Sequence, residues 1–207
     1  MAISNKQRWK HLEGWSPQLF ILAAVFLLVG AANSGLAFLI DSYTFNGWLG
    51  VVLELGRLAA LLGTAGLSVG VLNRSIRLGY LTRTVASLAV VFVTALTTMA
   101  ALTVAGALAE PIGIVGLFAY VLSVSAFLVV GVGVVRTGAY SQRIGGLLLV
   151  NVVALLIVFF GRVFVPLGLV ATVVPALQVL LYLSVGYTLR SWSVTAQVAA
   201  PTTDTSP

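Results

Sequence analysis

The basic residues of this chain occupy every second gap between its apolar stretches, and the gaps between those carry none. Six apolar stretches run over residues 18–40, 47–72, 84–109, 112–135, 144–165 and 167–189. A helix rises about 1.5 Å per residue, so about 20 apolar residues cross the ~30 Å of a bilayer's hydrocarbon. Each stretch is long enough. The pattern predicts an all-α protein, a polytopic integral membrane bundle of six transmembrane helices.

The charges orient it. Lys6, Arg8 and Lys10 precede the first stretch; Arg74, Arg77 and Arg83 fill the second gap; Arg136 and Arg143 fill the fourth; Arg190 follows the last stretch. The first and third gaps offer only Asp41 and Glu110. All but two of the 11 lysines and arginines therefore lie on one side, and the other two, Arg57 and Arg162, lie inside spans. By the positive-inside rule that side is cytoplasmic, which places both termini inside the cell membrane. The expected organisation is a cytoplasmic segment over 1–16, a membrane domain over 17–190 and a disordered cytoplasmic tail over 191–207. Trp9, Leu12 and Trp15 admit two readings of the leader: a short interfacial helix, or an irregular segment anchored by tryptophans at headgroup level. Its apolar run is too long for a cleaved signal peptide.

Composition supports lipid as the solvent. The chain is 60% hydrophobic and 8% charged, with a mean hydropathy of +1.11, whereas a soluble domain carries about 25% charged residues. The formal charge of +6 then reads as an orientation signal and a contact for anionic headgroups at the cytoplasmic face. It does not read as nucleic-acid binding, for which no arginine–aromatic groove is present.

Several activities lack their residues. There is no cysteine, and the one histidine, His11, precedes the first span. Haem held by histidines within the bundle is excluded on ligands. No lysine lies in a span, so a retinal Schiff base has no anchor and an intramembrane serine has no base. No span holds an aspartate for aspartyl proteolysis. The five acids are too scattered for a metal site. No cofactor signature and no complete catalytic motif appear, although a lone Glu54 could move protons.

Polar groups at membrane depth are costly, about 2.5–3.5 kcal/mol each for charged ones on insertion scales. Glu54 and Arg57 lie in the second span, roughly 10 and 15 Å below its outer end. Their i, i+3 spacing permits a local ion pair. That pair is either self-neutralising structure or the lining of a cavity. Arg162, near the outer end of the fifth span, either snorkels to the interface or faces inward. Asn33 lies in the outer half of the first span and Gln178 near the middle of the sixth; Asn151, in the inner half of the fifth, reads as a bond between helices. Asn33, Glu54, Arg57, Arg162 and Gln178 are the candidate ligand or ion site, one suited to an anion or an amphiphile.

Gly56, Ala60, Gly63, Gly66 and Gly70 give the second span a small-residue face, for bundle packing or for a seam with a second copy. Pro175 should kink the sixth span. Leu67-Ser68-Val69-Gly70 before Arg74-Ser75 is echoed by Leu183-Ser184-Val185-Gly186 before Arg190-Ser191, and more faintly by Leu128-Val129-Val130-Gly131 before Arg136. Three repeated helical hairpins would explain the echoes; so would the ordinary composition of membrane spans. Two functions remain. One is a small-solute or ion transport or ligand-binding bundle. The other is a non-catalytic subunit, scaffold or sensor that docks a membrane protein partner.

Overall fold

The structure, a computed structural model, describes residues 5–40, 47–108, 113–164 and 167–198. These form six helices: α1 (Asn5–Leu39), α2 (Gly47–Arg74), α3 (Ile76–Val104), α4 (Gly113–Thr137), α5 (Gln142–Phe164) and α6 (Leu167–Val198). Among the described residues there is no strand. All six helices are long and apolar enough to cross a membrane. Many large apolar side chains, such as Val25, Leu28, Val91 and Leu180, point outward. In water that surface would be untenable; facing lipid it is expected.

Each helix packs against its neighbours in the chain, and α6 returns to α1, which closes a ring. A further contact between α2 and α4 crosses it. The connections at the arginine-rich end are short enough to enforce this order. Ser75 alone separates α2 from α3. Between α4 and α5, Gly138 adopts a left-handed φ of 59°, and its N–H reaches the Val134 carbonyl at 3.1 Å. That is a helix-ending geometry that glycine adopts without a Cβ penalty.

α2 is the most enclosed helix, with 67% of its span window buried against 22% for α3. Its small-residue face explains this. A Cβ on Gly66 would meet the Leu12 carbonyl oxygen at 2.7 Å, and one on Gly63 would meet the Phe20 ring at 3.0 Å. The glycine face is therefore spent inside the bundle, on α1 from Gly56 to Gly66 and on Tyr140 at Gly70. α4 and α5 approach similarly: a Cβ on Gly145 would meet the Gly131 carbonyl oxygen at 2.9 Å. The three echoed glycines, Gly70, Gly131 and Gly186, all stand at close helix contacts, against Tyr140, α5 and the Pro17 carbonyl respectively.

Two ends differ from expectation. The leader is neither a separate interfacial helix nor irregular: α1 runs unbroken from Asn5 through Pro17. Trp9 and Leu12 pack on the core, and Ser16 is fully buried with its hydroxyl bonded to the Leu12 carbonyl at 3.1 Å. These contacts outweigh the backbone bond that Pro17 cannot make. At the other end α6 continues through 191–198, expected to be tail. There Trp192 meets the Tyr140 ring edge-on at 5.4 Å. The rest of the expected tail, 199–207, lies outside the described residues, as do Asp41 and Glu110. α6 is assigned as helix on both sides of Pro175.

Candidate functional site

Glu54 and Arg57 do form a pair. Arg57 Nη1 donates to Glu54 Oε1 at 2.5 Å. The contact is single, and the Glu54 Oε2 and Arg57 Nε atoms are buried without a partner. Both side chains border a cavity of about 400 Å³. That volume falls within the range of small-molecule pockets, about 300–1,000 Å³. Five helices line it: α2 with Glu54, Arg57 and Leu61, α3 with Val93 and Leu96, α4 from Gly113 to Phe127, α5 with Leu155, Val158 and Phe159, and α6 with Gln178 and Tyr182.

These positions share one half of the bundle. They fall early in α2, α4 and α6 and late in α3 and α5. Because neighbouring helices alternate in direction, all of them lie away from the end that carries Arg74, Arg136 and Arg190. Aromatic rings form the inner boundary. Tyr182 packs on Phe127 at 6.1 Å and on Phe20 at 5.9 Å. Phe20 in turn fills the space over Gly63, further toward the Arg74 end than the cavity's own Leu61. Higher on the wall, Tyr120 stacks on Phe159 at 5.4 Å and its hydroxyl donates to the Leu155 carbonyl.

A buried polar chain backs the cavity. Gln178 Nε2 donates to Asn151 Oδ1 at 3.0 Å, and Asn151 Nδ2 donates to the Tyr182 hydroxyl at 3.1 Å. The three side chains are 3%, 1% and 2% exposed. The bond from Asn151 occupies a lone pair of the Tyr182 oxygen, so the hydroxyl proton stays free to donate.

Of the five residues expected in the site, Glu54, Arg57 and Gln178 meet in the cavity. Asn33 does not line it, although it is buried in α1. The side chain of Arg162 lies outside the described residues. Asn151 belongs to the assembly through Gln178 and Tyr182. Tyr120, Ser123, Phe127 and Tyr182 were not singled out from sequence. Their spacing carried a signal: Tyr120, Ser123 and Phe127 share one face of α4, and Gln178 and Tyr182 one face of α6.

The arginine-rich end is built differently. The Tyr140 hydroxyl donates to the Glu13 carboxylate, and its ring lies against Gly70, where a Cβ would meet it at 2.5 Å. Burial, and then the Glu13 charge, push the Tyr140 hydroxyl well above its ordinary range, so it stays a protonated donor. The Arg83 guanidinium sits 4.0 Å over the Trp9 ring. Helices α1, α2, α3 and α6 and the 138–141 turn are thus clasped together.

Among the described residues no three metal-ligating side chains of the His, Cys, Asp or Glu type lie together. Comparison with known proteins finds no matching family model, no similar curated protein and no similar solved structure.

Proposed function

We propose that this chain is a membrane bundle that binds a small molecule in the cavity between α2 and α6, as a binding or transport protein. One observation carries the reading. A charged pair with orphaned polar atoms borders a cavity that is otherwise mostly apolar. Charged groups at membrane depth default to function, and an apolar pocket with a few convergent polar groups is the usual form of a small-molecule site. Under the positive-inside rule the Arg74 end faces the cytoplasm of the cell, with both ends of the described chain on that side. The cavity then occupies the outer half. Transport through the bundle would require the Tyr140–Glu13 clasp to part.

The subunit or scaffold reading would use the glycine face of α2 as its docking seam. That face is occupied by α1 and, at Gly70, by Tyr140, so the binding reading is preferred.

Native mass spectrometry of the protein extracted gently from its own membrane tests the choice. A variant with a narrowed cavity is at hand in Gly116→Leu. A Cβ there would meet only Leu96 Cδ1, at 3.9 Å, while the residue lines the cavity. The expected result is a small retained mass on the wild type that Gly116→Leu loses. A stoichiometric protein partner with no small mass would overturn the reading in favour of a subunit.

A further inference from the structure

We infer that the cavity takes a molecule without net charge: a compact apolar body bearing one head group that both donates and accepts hydrogen bonds, such as an alcohol, an amide or an undissociated acid. The inference rests on the binding reading and narrows its ligand.

Charge balance is the first argument. Among the described residues, Glu54 and Arg57 are the only charged side chains lining the cavity, and they neutralise each other at 2.5 Å. The remaining polar lining, Tyr120, Ser123, Gln178 and Tyr182, is uncharged. An anion on the remaining Arg57 N–H groups would bring a second negative charge beside the Glu54 carboxylate, and one that displaced Glu54 would orphan that carboxylate at membrane depth. A cation would orphan Arg57 in the same way. Breaking a buried pair from one side is strongly unfavourable. A neutral head leaves the pair intact.

Complementarity is the second. The single contact leaves one acceptor, Glu54 Oε2, and one donor, Arg57 Nε, without partners. Both atoms are buried, so a head group at this wall reaches the free Glu54 oxygen only as the carboxylate shifts to meet it. Arg57, the more open of the two at 36% side-chain exposure, presents its remaining N–H groups there. A hydroxyl, amide or carboxylic acid head supplies the donor and acceptor that this wall lacks. The body of the ligand meets Leu61, Val93, Phe127, Val158 and Phe159, which offer only apolar contact.

The test uses the full chain in phosphatidylcholine nanodiscs and four probes of one body: hexanol, hexanamide, hexanoate and hexylammonium. Stabilisation against heat is measured on the wild type and on Gly116→Leu, whose narrowed cavity subtracts the effect of probe dissolved in lipid. Hexanol and hexanamide should bind the wild type about tenfold more tightly than either ion at neutral pH, a difference of ~1.4 kcal/mol. Removing one charge should create a preference. Glu54→Gln should favour hexanoate and Arg57→Gln hexylammonium, each by about tenfold over hexanol. Relative to hexanol, hexanoic acid should gain affinity on the wild type as pH falls through the acid's own pKa.

If hexanoate binds the wild type most tightly, the neutral-ligand inference falls while the binding reading stands. If hexylammonium does, the outcome is the same. If no probe separates wild type from Gly116→Leu, both fall together.

Discussion

At the Arg74 end the polar groups are consumed by packing. Tyr140 donates to Glu13, its ring covers Gly70 and meets Trp192, and Arg83 caps Trp9. Helices there touch through glycines with no room for another atom. In the other half, Glu54 and Arg57 border about 400 Å³ of space and keep two polar atoms without partners. Native interiors rarely leave buried polar atoms unpaired, and each such atom on a charged group costs about 1–3 kcal/mol or more. An end built only for stability would close that space as the clasp does. On the binding reading proposed above, the clasp is structure and the cavity is where the ligand sits.

The sharpest way to break this comparison is to add atoms at one glycine in each half. Gly66→Val must push against the Leu12 backbone, and should lower stability by about 1–3 kcal/mol. Gly116→Leu enters open space and gains helix propensity, so it should be neutral or stabilising by up to about 1 kcal/mol. Thermal unfolding of both variants in nanodiscs reads the difference directly. Equal losses would mean the cavity half is as tightly packed as the clasp.

A double-mutant cycle on the pair sharpens the cavity side. Glu54→Gln and Arg57→Gln should each cost about 1–2 kcal/mol, because each leaves a charge unpaired, discounted here for the partial exposure of Arg57. The double variant should recover most of the loss. Additive losses would show that the two charges do not compensate each other.

The smallest effect is expected at the clasp. Tyr140→Phe removes a donor to Glu13 and should cost about 1 kcal/mol at neutral pH. The folded state holds the Tyr140 proton more tightly than the unfolded chain does. Its contribution is therefore complete below the ordinary tyrosine pKa of about 10 and declines as pH rises beyond it. The gap between wild type and Tyr140→Phe should narrow above that pH in a denaturation series. A constant gap would separate Tyr140 from the alkaline loss.

Much of the site was legible because its core is local. Glu54 and Arg57 are neighbours on one helix turn, so their spacing alone predicts the contact. Asn151 was not legible as part of it. Its partners, Gln178 and Tyr182, lie on another helix, and nothing in the chain near Asn151 says which neighbour it meets. Asn33 shows the reverse: a polar residue at the expected depth, on α1, of which no described residue lines the cavity. Depth follows from position along a span, whereas facing follows from how the span is turned.

The sequence by itself determined the six spans, the end that carries the cations and the Glu54–Arg57 pair, because span length, loop charge and i, i+3 contact depend on residues close together in the chain. The tertiary structure alone decided the ring order, the assignment of the α2 glycine face to α1, the helical leader through Pro17 and the cavity itself. In lipid, apolar side chains gain little by meeting one another rather than the acyl chains, so helix neighbours are chosen by close fit between small residues and rings. That fit is a property of two surfaces together, and neither strand of sequence states it alone.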